Sequence, residues 1–126
     1  MKEIIYSKNA PNPLGPYNQA VKIADVLYTA GQIPVDPKTN ELVAGGIEEQ
    51  TEQVMKNLEA VLIAANTSFK QMIKTTVFLT DLNDFSTFNK IYGRFFDEAA
   101  APARSTVEVT ALPKGALVEI EGIAIV

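Results

Sequence analysis

The sequence predicts an α+β domain in which a mixed six-stranded sheet carries two helices packed on one face. Stretches that alternate polar and apolar residues, and stretches with apolar residues every three or four positions, follow the order β-β-β-α-β-α-β-β. Right-handed crossover connections put both helices on the same side of such a sheet. With 126 residues the chain can bury a core without disulfides or metals, so a single domain over residues 1–126 is expected.

Three strands are predicted before the first helix. Residues 3–6 form a short strand, and residues 20–23 and 26–33 form a hairpin. Residues 35–41 are rich in turn-forming side chains, so they predict a loop. The chain is therefore expected to form a short strand and one antiparallel hairpin before the first helix.

Two positions in this half of the chain allow a structural or a functional interpretation. Tyr17 ends the proline-rich residues 9–17, and it either caps the edge of the core or holds its hydroxyl over a site. Gly31 lies near the end of the third predicted strand. It marks either a β-bulge or a place where a ligand approaches the backbone closely.

Two amphipathic helices follow. The first begins after Gly45 and Gly46 and carries Glu48 and Glu49 in its first turn, where acidic side chains suit the helix dipole. Its predicted core positions are Val54, Leu58, Val61, Leu62 and Ala65, and its predicted solvent positions are Gln53, Lys56, Asn57 and Glu59.

The second helix has the apolar stripe Phe85, Phe88, Tyr92, Phe95, Phe96 and Ala99. Asn89 also lies on this stripe, so it either ties down a backbone group or faces a cavity.

The strand between the helices, residues 72–80, is rich in β-branched side chains and ends at Asp81 and Asp84. Two aspartates this close could bind a metal ion. Turn formation and N-capping of the second helix explain both residues without a metal, and we favour that interpretation.

Arg104 lies near the start of an alternating stretch, residues 102–109, that opens with Pro102 and predicts the fifth strand. One face of this strand carries Arg104, Thr106 and Glu108, and the other carries Ser105, Val107 and Val109. A guanidinium fixed on a strand can hold a carboxylate through two parallel hydrogen bonds. Arg104 is therefore a candidate anion-binding residue.

The last strand, residues 117–126, is strongly apolar but places Glu119 and Glu121 on one face. Buried carboxylates need partners, and Arg104 is the obvious candidate if the turn at residues 112–115 joins the last two strands as a hairpin. The group is either a structural ion pair or a binding site. Because both faces of this strand look buried, we expect a partner subunit to cover the second face, with Arg104 and Glu119 near the boundary.

Composition excludes several classes of site. The chain has no histidine and no cysteine, which removes Ser-His-Asp and Cys-His nucleophiles, thiol redox chemistry and the usual zinc ligand sets. A glutamate, or a water held by one, is then the expected proton carrier of an enzyme.

The net charge of −4 disfavours nucleic acid as a partner. No apolar run is long enough to span a bilayer and residues 1–6 lack secretory features, so a cytoplasmic protein is expected.

A set of motifs spread over nearly the whole chain carries a family resemblance. They are residues 15–17 (GPY), 31–35 (GQIPV), 74–78 (KTTVF), 81–85 (DLNDF), 102–105 (PARS) and 118–121 (VEIE). Together and in this order they closely resemble the RidA (YjgF) family of enamine/imine deaminases. The resemblance implies a chorismate-mutase-like fold and a homotrimer, in which the sheets line a central barrel and three ligand clefts lie between subunits.

The resemblance also implies a reaction. Family members hydrolyse short-lived 2-enamine and 2-imine acids, such as 2-aminoacrylate and 2-iminobutanoate, to 2-keto acids and ammonia without a cofactor. It gives Arg104 the substrate carboxylate and Glu119 the attacking water or the proton transfer. Tyr17, Gly31, Asn89 and Thr106 match positions at the pocket.

Two positions depart from the family pattern. Many members have cysteine where this chain has Thr106, and serine where it has Ala30. Since the cysteine position is thought to act through its backbone, we expect deamination to persist with altered substrate preference. Two other functions remain open: a non-catalytic module that binds 2-keto acids, and a translation inhibitor acting on RNA, which the acidic composition disfavours.

Overall fold

The computed structural model describes all 126 residues and contains one large sheet, one small sheet and two helices. The strands are Glu3–Ile5 (β1), Ala20–Ile23 (β2), Val26–Thr29 (β3), Val35–Asp36 (β4), Glu41–Leu42 (β5), Met72–Leu79 (β6), Ala103–Glu108 (β7) and Val118–Ile125 (β8). The helices are Ile47–Ala64 (α1) and Phe85–Tyr92 (α2). The pair β4 and β5 forms a small antiparallel sheet within the segment predicted as a loop.

The large sheet has the strand order β1-β2-β3-β8-β6-β7. Only β6 and β7 are parallel, and every other neighbouring pair is antiparallel. Both helices pack against the same face through a continuous core that includes Leu58, Leu62 and Phe88. The predicted mixed six-stranded sheet with two helices on one face is therefore confirmed. Neither helix combines the length and apolarity needed to cross a bilayer.

The first helix forms where its apolar spacing predicts, but one of its polar residues points inward. All five predicted core residues of this helix are buried. Asn57, which we expected in solvent, is only 1 % exposed. Its amide nitrogen donates to the backbone carbonyls of Ile33 and Val35, at 3.1 Å and 2.9 Å, and its oxygen accepts from Gln53. These bonds replace its hydration, and they fix the segment that follows β3 onto the helix.

The second helix is shorter than its aromatic stripe. It ends at Tyr92, and the chain continues in a 3₁₀ turn at Gly93–Phe95 before it becomes extended at Phe96. The rings of Phe95 and Phe96 pack edge-on against Phe69, with centroid separations of 5.6 Å and 5.2 Å. Phe95 and Phe96 therefore extend the apolar surface of the stripe, although they lie beyond the end of the helix. The predicted turn role of Asp81 is confirmed, because its carboxylate accepts the N–H of Asn83.

The predicted hairpin between β7 and β8 is wrong, because β6 lies between these two strands. β7 returns parallel to β6 after α2, so it occupies the edge of the sheet on one side of β6. The connection from β7 to β8 then crosses the end of β6. There the N–H of Val109 donates to the carbonyl of Leu79, and the N–H of Thr80 donates to the carbonyl of Leu117. Residues 113–115 do form a turn, but this turn is part of the crossing over β6 and does not close a tight hairpin.

Candidate functional site

A cleft of about 430 Å³ opens beside β8, on the face of the sheet away from the helices. Its walls come from the proline-rich loop before β2, the segment after β3 and the turn before β8. Residues that line it include Pro13, Tyr17, Gly31, Ile33, Lys114 and Glu119. The cleft is mostly apolar, so a carboxyl group inside it is the feature that stands out.

Glu119 supplies this carboxyl group. Along β8, Val118, Ile120 and Ala124 are buried toward the helices, so the alternating Glu119 faces the opposite way. Burial in the cleft raises the pKa of Glu119, and the negative charge of the neighbouring Glu121 raises it further. The protomer has a single ion pair, between Lys56 and Glu52, so no cation offsets these effects.

Gly31 lets the backbone approach this carboxyl group. The third strand ends at Thr29, earlier than predicted, and Gln32 then forms an isolated antiparallel bridge with Ile120. Its N–H donates to the Ile120 carbonyl at 2.8 Å, and its carbonyl accepts from Ile120 at 3.1 Å. A Cβ atom at Gly31 would lie only 2.0 Å from a carboxylate oxygen of Glu119. The glycine therefore marks a close approach, and the approaching group is Glu119.

The proline-rich loop is fixed by a residue that our sequence reasoning missed. Gln19 is 2 % exposed, and its amide nitrogen donates to the carbonyls of Ser7, Ala10 and Pro11 while its oxygen accepts the N–H of Ser7. Tyr17 remains about half exposed, and its hydroxyl accepts the N–H of Leu14 at 3.0 Å. The loop thus holds Tyr17 at the wall of the cleft instead of against the core.

Lys114 is a second lining residue that the sequence did not single out. It follows Pro113 in the turn before β8, has a left-handed backbone with φ 58°, and donates its amine to the carbonyl of Asn40 at 3.4 Å. The only available signal was the proline and the glycine on either side of it, which predict a turn and say nothing about a cleft.

Arg104 does not line the cleft and lies on the other face of the sheet. Its guanidinium carbon is 5.5 Å from the ring centre of Phe85, 5.6 Å from that of Phe88 and 4.9 Å from that of Tyr92. The Tyr92 hydroxyl is hydrogen-bonded to that of Thr75 at 2.7 Å. Burial raises the pKa of Tyr92, although the bond to Thr75 and the nearby Arg104 act in the opposite direction.

Asn89 and Thr106 also lie outside the cleft. Thr106 follows Arg104 by two residues on β7, so both side chains point to the same face. Its hydroxyl oxygen is buried without a hydrogen-bond partner. Asn89 is half-buried on α2, the helix that carries the rings around Arg104.

The predicted contact between Arg104 and Glu119 is absent from the protomer, for three geometric reasons. First, β6 separates their strands, which sets them about 10 Å apart across the sheet. Second, Arg104 is level with Thr75 and Gly122, whereas Glu119 is level with Phe78, three residues along β8. Third, the two side chains point to opposite faces. The six predicted site residues therefore form two groups, with Tyr17, Gly31 and Glu119 in the cleft and Arg104, Asn89 and Thr106 elsewhere.

Comparison with known proteins gives a consistent result. The family model described as Endoribonuclease L-PSP matches residues 7–126. A RutC family protein from Pyrococcus horikoshii is 53 % identical over 124 residues, which cover 98 % of each chain. A 2-iminobutanoate/2-iminopropanoate deaminase from Mus musculus is 44 % identical over 125 residues, covering 99 % of this chain and 92 % of that one.

A crystal structure gives the same match in three dimensions. A Rid family protein of unknown function from Yersinia pestis superposes with a TM-score of 0.97 and 53 % identity, and the match covers 100 % of both chains. The motifs at residues 31–35 and 102–105, the sheet order and these matches agree. The chain belongs to the RidA (YjgF) family.

Proposed function

We propose that this protein hydrolyses 2-imino and 2-enamino acids, such as 2-iminobutanoate and 2-aminoacrylate, to 2-keto acids and ammonia without a cofactor. The observation that carries the proposal is the Glu119 carboxyl group, which sits in an apolar cleft with no cationic partner and a raised pKa. Such a carboxyl group suits proton transfer at moderate pH. The mouse relative, named as a deaminase of this kind, supports the choice of substrate.

The chemistry requires only positioning and one proton carrier. Protonated Glu119 gives its proton to the enamine carbon or the imine nitrogen, which leaves C2 electrophilic. A water oxygen then bonds to C2 while the Glu119 carboxylate accepts a proton from that water. Glu119 then passes that proton to the amino nitrogen and takes up the hydroxyl proton as the C2 carbonyl forms and ammonia leaves, so imino acid and water become keto acid and ammonia. No nucleophilic side chain takes part, in agreement with a chain that lacks histidine and cysteine.

Arg104 binds the substrate carboxylate in this proposal. Its guanidinium has no carboxylate partner in the protomer, and planar, bidentate hydrogen bonding is the geometry by which arginine recognises carboxylates. Gly31 offers its backbone amide to the substrate beside Glu119, and Tyr17 closes the wall of the cleft. Asn89 and Thr106 contribute from the side of Arg104.

We further propose that Arg104 of one copy meets Glu119 of a neighbouring copy in a cytoplasmic homotrimer. Two observations support an assembled site: the two residues lie on opposite faces of the sheet, and the face away from the helices exposes large apolar side chains. Tyr28, Val107 and Ile125 on that face are 48 %, 44 % and 37 % exposed. A second copy placed over this face would remove apolar surface from water and complete the site.

The first experiment tests the reaction. A threonine dehydratase generates 2-iminobutanoate in situ, and release of 2-ketobutanoate is followed with wild type, Arg104→Ala and Glu119→Gln. Arg94→Ala and Glu59→Gln change exposed residues of the same charge and serve as matched controls. We expect acceleration by the wild type and both controls and none by either site variant. A folded wild type without effect would refute the deaminase and favour a module that only binds keto acids.

The second experiment tests whether the site is shared between copies. Arg104→Ala and Glu119→Gln are inactive alone in this scheme, so they are mixed in equal amounts, unfolded and refolded together. Random assembly would pair an intact Arg104 with an intact Glu119 at about one interface in four and restore roughly a quarter of the activity. A site within one chain would restore none, because no single chain would contain both residues.

A further inference from the structure

Three aromatic rings surround the Arg104 guanidinium, and all three belong to one segment. Phe85, Phe88 and Tyr92 are spaced by three and four residues along α2, so their side chains share one face of the helix. The distances from the guanidinium carbon to the ring centres lie between 4.9 Å and 5.6 Å. Each separation is within the range of cation–π attraction.

These rings are themselves held in place. Phe88 is fully buried, and Tyr92 is 6 % exposed with its hydroxyl bonded to Thr75 on the central strand β6. The ring centres of Phe88 and Tyr92 lie 5.3 Å apart. Phe85 packs on the rim of the same core and is half-buried. An arginine placed against such a rigid wall loses much of the rotamer freedom of its long side chain.

The contact with the rings also leaves hydrogen-bond donors of Arg104 available to a ligand. A guanidinium interacts with aromatic rings through its flat face and donates hydrogen bonds in its own plane. Because the protomer offers it no carboxylate, the residues that orient this cation are the three rings of α2, together with the Tyr92 hydroxyl, which accepts a hydrogen bond from it. No carboxylate of the protomer takes the N–H groups of Arg104, so donors remain for an external anion.

We propose that Phe85, Phe88 and Tyr92 form an aromatic cradle that positions Arg104 for binding the carboxylate of a 2-keto or 2-imino acid. The identity of the ligand rests on the proposed function, whereas the cradle itself rests on the contacts. The rings touch Arg104, so they are positioning residues. A cradle that orders the arginine before the ligand arrives lowers the entropy lost on binding.

Phe85→Leu tests the cradle, because it removes the half-buried ring and keeps an apolar side chain; Phe85→Met is a second variant of the same kind. Phe95→Leu is the matched control, since Phe95 is also half-buried but packs on Phe69 and not on Arg104. Two quantities are measured on folded protein without turnover. They are the affinity for 2-ketobutanoate by calorimetry and the NMR order parameter of the Arg104 Nε–H bond.

We expect Phe85→Leu to weaken 2-ketobutanoate binding about 3- to 10-fold, in keeping with the loss of one partly desolvated cation–π contact. We also expect it to lower the order parameter, while Phe95→Leu changes neither. Wild-type affinity together with an equally rigid Arg104 in folded Phe85→Leu would overturn the proposal, as would an equal effect in Phe95→Leu. If the wild type binds no keto acid, the order parameter alone decides.

The outcome is separable from that of the proposed function. A wild type that binds 2-ketobutanoate through an ordered Arg104 but fails to hydrolyse imines would refute the deaminase and leave the cradle in place. Hydrolysis by Phe85→Leu with unchanged KM and an unchanged order parameter would refute the cradle and leave the deaminase in place.

Discussion

Gly31→Ala should inactivate the site while leaving the fold intact. A Cβ atom at this position would lie 2.0 Å, 2.7 Å and 2.9 Å from the carboxylate oxygen, the carboxyl carbon and Cγ of Glu119. Ordinary contacts begin at 3.4 Å, so the carboxyl group must move by about 1.4 Å. Misplacing a reacting group by about 1 Å can lower a rate roughly 100-fold. We therefore expect kcat for 2-iminobutanoate to fall about 100-fold.

The same substitution should have little effect on stability. Gly31 does not have a left-handed backbone, so alanine fits its φ, and the group that must move is the end of a flexible side chain. Restricting the unfolded chain even favours folding by about 0.4–1 kcal/mol. KM should change much less than kcat, because carboxylate binding by Arg104 does not involve the displaced group and alanine keeps the backbone amide at position 31.

Gly93→Ala is the matched control, because a Cβ at Gly93 meets nothing within 4 Å. The assay is the coupled production of 2-ketobutanoate, with denaturant unfolding run on the same samples. Gly93→Ala should keep wild-type kcat. Wild-type kcat in a folded Gly31→Ala protein would show that the position of Glu119 does not limit the reaction. A loss of equal size in both variants would assign the effect to general disturbance.

Three further predictions concern the cleft and its walls. Glu121→Gln should lower the pKa of Glu119 in a carboxyl NMR titration, since the Glu121 charge is the second cause of its elevation after burial; an unmoved titration would contradict that assignment. A raised folded-state pKa gives stability that is present below the unfolded pKa and lost as pH rises, so Glu119→Gln should be more stable than wild type at pH 7 but not near pH 4. Gln19→Leu removes four hydrogen bonds, three of them buried, and should lower the free energy of unfolding by about 3 kcal/mol, whereas the exposed Gln71→Leu should not.

Local patterns were enough to predict the elements that repeat regularly. The apolar spacing of residues 54–65 and the alternation along 103–108 are each decided within one segment, and both helix and strand form there. The order of strands depends on which segments pair, and a pattern within β7 or β8 contains no such information. The expected hairpin between β7 and β8 failed for this reason, and the contact between Arg104 and Glu119 failed with it.

Buried polar residues were the other source of error. A pattern of apolar positions assigns amides to solvent by default, so Asn57 was placed outside and Gln19 was not considered. Each residue bonds to backbone carbonyls of a segment outside its own element, Ile33 and Val35 in one case and Ser7 to Pro11 in the other. The partners are distant in sequence and lack any signature, so only the folded structure identifies these two amides as supports of the cleft walls.

The two isolated charges and the exposed sheet face have one common explanation. Proteins generally pair charges that they partly bury, yet Arg104 has no carboxylate partner in the protomer and Glu119 carries a raised pKa with no cation beside it. Arg104 is held against the rings of α2, and Glu119 lies directly beside the Gly31 backbone. A partly buried charge without a partner does not stabilise a monomer, but it is available to bind a substrate. In the proposed trimer the same contact that covers Tyr28 and Val107 would bring the two charges to one imino acid, so assembly and substrate binding would satisfy both.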